Sequence, residues 1–80
     1  MTSTTLYTRE NEILTRLMRE MRLATGLTQA ACADSLGKPQ SYVSKIEAGN
    51  QRIDLLQLRE YCLVCGVSLT SFVKKFESEL

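Results

Sequence analysis

Apolar residues recur along this chain at steps of three and four. Ile13, Leu14, Leu17, Met18 and Met21 form the first such stripe, while Arg16, Arg19, Glu20 and Arg22 fall mostly elsewhere. The pattern predicts a helix that begins after Thr8, a good N-cap residue, and stops at Gly26, which takes the left-handed conformation cheaply. Thr28 caps a second, short helix, "QAACADSL", with Cys32, Ala33 and Leu36 as its buried stripe and Gly37 as its stop. Pro39 suits the first turn of a third helix, where its missing N–H is no loss. That helix runs to about Ala48, and Gly49 ends it. Asp54 caps a fourth helix with Leu55, Leu58, Cys62 and Cys65 on one face and Gly66 at its end. Ser68 caps a fifth, with Leu69, Phe72, Val73 and Phe76 apolar and Leu80 extending the stripe. No segment alternates as a strand does. Residues 1–7 read as a frayed end. The expected fold is all-α: a compact five-helix bundle in one domain spanning 1–80, with a helix-turn-helix at 28–48.

The third helix raises a question of purpose. Only Val43 and Ile46 are strongly apolar within it, so it buries little. Ser41, Ser44, Lys45 and Ala48 share its opposite face, and Gln40 sits in the first turn. That face carries small polar groups, one amide and one cation, with no acid and no bulky aliphatic residue. Helices two and three are joined by a short turn around a Gly, which makes them cross steeply. Such a face suits the DNA major groove. Small residues allow close approach, Gln can pair with adenine, Ser can donate or accept, and Lys reads guanine acceptors. A merely solvated polar face is the competing reading.

Composition narrows the choice of function. The chain has 80 residues, 44 % hydrophobic and 24 % charged, which fits one ordinary globular domain. Its formal net charge is only +1. Any anion-binding surface must therefore come from local arrangement rather than net field. The opening "MTSTTLYTREN" is polar where a signal peptide would be apolar, and no apolar run is long enough to span a membrane. Three Cys without a secretory signal fit a reduced, cytoplasmic setting. The chain contains no His, so the usual base for a Ser or Cys nucleophile is missing, and no phosphate-binding loop is present. An enzyme is not expected. "CLVC", Cys62 to Cys65, has the spacing of zinc and redox sites, but it lies within a helix and only Cys32 could add a third ligand. It reads as packing, with redox sensing as the remaining alternative. No metal and no cofactor are expected.

The stretch "LTQAACADSLGKPQSYVSKIEAGNQRIDLLQLREYCLVCGVSLTSFV" resembles the lambda-repressor/Cro-type helix-turn-helix family, also called the XRE family. The resemblance covers about Ile13 to Val73. It rests on "LTQ" opening helix two, Ala33, Leu36–Gly37, Val43, Ile46–Glu47, Gly49 and "GVSL" after helix four. It implies a five-helix DNA-binding domain that dimerises on a palindromic operator and regulates transcription. By position, Gln29 matches a phosphate-binding Gln that also braces the recognition helix. Gln40 and Ser41 match base-reading positions, and Ser44 and Lys45 match positions deeper in the groove. Tyr42 lies at the flank, near a phosphate or a thymine methyl. Asn50, Gln51 and Arg52 match a phosphate-contacting loop. Arg22 and Glu47 match a structural ion pair that does not touch DNA. The chain departs from the family pattern at Lys38, which stands in place of an aliphatic residue and either reaches a phosphate or is simply solvated. It departs again at Ala48, at Cys32 and at Ile53, near which a Pro is usual.

The expected partners are double-stranded DNA and a second copy of the chain. Phe72, Val73, Phe76 and Leu80 are the candidate dimer contact, since part of that stripe exceeds what helix four needs as cover. Repression is the expected sign of regulation. The alternative is a protein-interaction module that keeps the fold, such as an antitoxin bound to its toxin; the near-neutral charge favours that caution.

Overall fold

The computed structural model describes residues 8–80, so the expectation of a frayed end at residues 1–7 lies outside the described residues. Five helices follow in order: α1 (Arg9–Thr25), α2 (Gln29–Ser35), α3 (Gln40–Glu47), α4 (Leu55–Val64) and α5 (Leu69–Glu79). No strand occurs among the described residues. Short polar side chains start four of the five helices. Thr8, Thr28 and Ser68 each accept from a backbone N–H three residues on, at 3.2, 3.0 and 3.0 Å. Asp54 and Gln57 form a reciprocal capping box at the start of α4, at 2.8 and 2.9 Å.

The exception is α3. Pro39 is its N-cap rather than a residue of its first turn, and no side chain caps it. A Pro disfavours helical geometry in the residue before it, and Pro39 itself is extended at ψ 157°. The turn into α3 is closed from the other side. Gly37 has φ +69°. Its N–H donates to Asp34 O at 3.0 Å, and the N–H of Lys38 donates to Ala33 O at 2.9 Å. This double bond pattern ends α2 at Ser35, one residue before the expected Leu36, and reverses the chain within four residues.

One core serves all five helices. Ile13, Leu17 and Met18 of α1 meet Cys32 and Ala33 of α2, Val43 and Ile46 of α3, Leu58, Tyr61 and Cys62 of α4, Cys65, which caps α4, and Phe72 of α5. α2 packs on α3, α1 packs on both α3 and α5, and α5 also packs on α4. Leu55 does not join the core; it is 64 % exposed, and Tyr61 fills the face of α4 instead. Helical side chains lean toward the N-terminus, so a residue in the first turn leans off the end of its helix into solvent. Phe72 is only 4 % exposed and belongs to the intramolecular core. Leu36 is half-buried against it rather than part of it. No helix among the described residues is long and apolar enough to cross a membrane.

Candidate nucleic-acid interface

The structure presents the outer face of α3 to solvent. Gln40, Ser41, Ser44, Lys45 and Ala48 are all exposed, while Val43 and Ile46 on the other side are 0 % and 1 % exposed. The uncapped start of α3 leaves its first amides open beside Gln40 and Ser41. The surface is thus thin, polar and unobstructed, and its only charge is the cation of Lys45.

Lys38 and Tyr42 flank this face as a pair. The Lys38 ammonium lies 5.4 Å from the centre of the Tyr42 ring, a cation–π arrangement. Tyr42 is half-buried, and burial together with Glu60 and Asp54 of the α4 side pushes its phenol pKa up. Lys38 is exposed at the same edge of the face. In the loop after α3, Asn50 and Arg52 are exposed and Gln51 is half-buried. Arg52 lines a shallow cleft with Thr8, Glu10, Asn11, Leu14 and Phe76, so the loop sits against the start of α1.

Behind the face lies a buried polar cluster centred on Glu47, the last residue of α3. Arg22 of α1 grips the carboxylate with two hydrogen bonds, Nε to Oε2 at 2.7 Å and Nη2 to Oε1 at 2.9 Å. The remaining Arg22 nitrogen, Nη1, donates to Leu27 O at 2.8 Å, which fixes the α1–α2 turn. Gln29 Nε2 donates to Oε1 at 3.2 Å, and the Tyr61 hydroxyl donates to Oε2. The two charged side chains are 8 % and 2 % exposed. Burial alone would raise the Glu47 pKa, but the hydrogen bonds from Arg22, Tyr61 and Gln29 outweigh it and hold the carboxyl below its ordinary value. The hydrogen bond to Glu47 raises Arg22 in turn. A carboxylate that collects donors from three other helices stays ionised and fixes the end of α3.

Of the residues singled out by sequence, Gln40, Ser41, Ser44 and Lys45 share one exposed face. Lys38 and Tyr42 sit at its edge, and Asn50, Gln51 and Arg52 follow it. Gln29 is half-buried, with its amide nitrogen turned to Glu47. On the far side, Val73 and Leu80 are 39 % and 55 % exposed and Phe76 is half-buried, while Phe72 offers almost nothing to a partner. Sequence reasoning missed Tyr61. Its spacing was informative: it falls three residues after Leu58 and four before Cys65, which puts a ring with a polar tip on the buried face.

The three Cys lie in the core. Cys32 and Cys62 are fully buried and Cys65 is 7 % exposed, and none forms a disulfide. Burial raises all three thiol pKa values, with Cys65 pushed up to about 12. No group of three metal-ligating side chains is gathered among the described residues.

A helix-turn-helix family model, HTH_3, matches residues 18–72. No curated protein matches the sequence. Among solved structures, an XRE-family like protein from Pseudomonas syringae pv. tomato str. DC3000 is 33 % identical, with a TM-score of 0.85, over 94 % of this chain and 92 % of that one. The restriction-modification controller protein C.Esp1396I is 21 % identical at a TM-score of 0.82, over 90 % of this chain and 95 % of its own. The clp gene regulator ClgR from C. glutamicum is 21 % identical at a TM-score of 0.78, over 89 % and 91 %. This chain belongs to the XRE-type helix-turn-helix family.

Proposed function

We propose that this chain binds double-stranded DNA sequence-specifically, as a dimer on a palindromic operator, and regulates transcription, with repression as the sign. The exposed α3 face carries this reading: small polar side chains and one Lys on a short helix clamped from behind at Glu47. Gln40, Ser41, Ser44 and Lys45 read base edges. Lys38, Asn50, Gln51 and Arg52 hold phosphates, Tyr42 meets a phosphate or a thymine methyl at the flank, and Gln29 contacts a phosphate and braces α3 from the start of α2. Val73, Phe76 and Leu80 supply the two-fold contact. Two recognition helices of such a dimer would lie about 34 Å apart, one turn of DNA. C.Esp1396I, which shares the fold, has been solved as a tetramer in complex with its natural 35 base-pair operator, and this supports the family-level reading.

Selection from a random duplex pool is the test, followed by affinity for the enriched site and a scrambled one at two salt concentrations. A palindromic site bound about a thousand-fold over scrambled DNA fits the proposal. Weak binding to both duplexes alike sinks it.

One observation favours a second reading. Leu55, Leu56 and Leu63 leave α4 with three exposed leucines, at 64 %, 72 % and 58 %. A protein partner such as a toxin would cover apolar surface of this kind. Association with the product of an adjacent gene, insensitive to salt, would favour that reading.

A further inference from the structure

Four helices meet at one carboxylate, and they do not contribute equally. Arg22 and Gln29 tie the end of α3 to α1 and to the start of α2. Tyr61 ties it to α4, and its bond to Glu47 is the one side-chain hydrogen bond between α3 and the α4–α5 half among the described residues. The segment between these helices, 48–54, is irregular. Gly49 and Asn50 close back onto α3 itself, through bonds to Ile46 O and Lys45 O at 3.0 and 2.9 Å. These backbone bonds tie the segment to α3, and its contact with the core is the apolar packing of Ile53, which is not directional as a hydrogen bond is. At its other end α3 has no side-chain cap.

Tyr61 is built for this task. Its side chain is 0 % exposed, so the ring cannot swing away, and its hydroxyl reaches one oxygen of a carboxylate that Arg22 already orients. The hydroxyl can be removed without removing the ion pair. Loss of the ring would instead open the core.

We propose that Tyr61 is a positioning residue for DNA recognition: its hydroxyl, donating to Glu47, sets the angle of α3 relative to the α4–α5 half. The proposal rests on the reading of α3 as the DNA-reading helix. Hydrogen bonds to base edges require placement within about 0.5 Å, whereas attraction to phosphates falls off gradually with distance. A loosened α3 therefore loses specific binding and keeps general affinity. Through α5, the same bond also links each recognition helix to the surface by which two copies would pair.

The experiment compares the wild-type chain with Tyr61→Phe at a temperature where both are folded. It measures affinity for the duplex that the wild type selects and for a scrambled duplex, together with amide hydrogen exchange in the free proteins. The expected result is about a tenfold fall in the ratio of specific to scrambled affinity. Affinity for scrambled DNA should stay the same, and exchange should quicken at the end of α3 but not in α1. A merely structural hydroxyl would lower the melting temperature but leave both affinities, and so their ratio, unchanged where both proteins are folded. An unchanged ratio overturns the proposal. Failure of Tyr61→Phe to fold overturns it too, because the hydroxyl would then hold the fold rather than aim one helix. If the wild type selects no duplex, it is the DNA-reading role of α3 that fails, and this outcome is distinct from an unchanged ratio on a selected site.

Discussion

The guanidinium of Arg22 holds both oxygens of Glu47, at 2.7 and 2.9 Å, with the pair almost out of contact with water. Removing either partner strands a buried charge. Arg22→Ala is expected to cost about 3–5 kcal/mol, the range for breaking a buried pair. A domain of this size has little more than that to lose. Urea unfolding of Arg22→Ala should therefore show a midpoint shifted far toward zero denaturant at 25 °C. A midpoint close to that of the wild type would mean that Gln29, Tyr61 and water can satisfy Glu47 without the cation.

The same carboxylate predicts how stability varies with pH. Glu47 has a folded pKa below its unfolded value, which is about 4.3 for an unperturbed Glu. Its ionised form is thus bound more favourably in the folded chain. That contribution is fully present above the unfolded pKa and is lost as pH falls through the lower, folded one. The urea midpoint should hold steady from neutral pH to about pH 5 and then decline. In Glu47→Gln the acid-dependent part should shrink, although the variant starts less stable. Equal acid slopes in the two proteins would show that other carboxylates dominate.

Much of this architecture was legible in the sequence because short-range chemistry fixed it. Thr8, Thr28, Asp54 and Ser68 mark helix starts, and each acts through a bond to a backbone N–H three residues away. The exposed face of α3 followed from the spacing of Val43 and Ile46. What stayed hidden depends on contacts distant in sequence. Leu55 fits the periodic stripe of α4 as well as Tyr61 does, and only the fold shows which end of the helix projects into solvent. The Phe72–Leu80 stripe looked like one surface. The packing of α5 on α1 and α4 divides it, keeping Phe72 inside and leaving Val73 and Leu80 outside. The meeting of Tyr61 and Glu47, fourteen residues apart, had no local signature.

Gly37 offers a test of the turn. Its φ is +69°, and a Cβ added there would meet nothing within 4 Å. The cost of a side chain is therefore backbone strain alone. Gly37→Ala should cost about 1–2 kcal/mol and lower the melting temperature by roughly 4–16 °C. Asn tolerates the left-handed region better, so Gly37→Asn should cost less, and a β-branched Gly37→Val should cost more than either. Calorimetry on the three variants would test this order. If Asn and Val are equally damaging, strain at φ is not what the glycine relieves.

The thiols should report unfolding and little else. With Cys32 and Cys62 fully buried and Cys65 raised to about 12, the reactive thiolate is scarce at neutral pH. Labelling by an excess of a thiol reagent should be slow in buffer and complete within minutes in urea. Its native rate should rise in any variant that lowers global stability. One thiol labelling fast in the native chain would point to local opening at that site, and would reopen redox sensing for the "CLVC" segment.

The recognition face can be divided by two substitutions. Lys45 lies on the exposed side of α3. Arg52 lies beyond the helix, beside the start of α1. Lys45→Ala is expected to cost about 1–3 kcal/mol on the selected duplex and to relax preference at one base step. Arg52→Ala should weaken binding to all sequences alike and reduce the slope of log affinity against log salt by about one. Neither side chain belongs to the core, so both variants should melt close to the wild type. Titrations of each variant against selected and scrambled duplexes, over a salt series, separate the two roles. Equal losses on both duplexes for Lys45→Ala would reduce it to a phosphate contact and move base reading to Gln40, Ser41 and Ser44. A change in sequence preference for Arg52→Ala would place the loop itself in a groove.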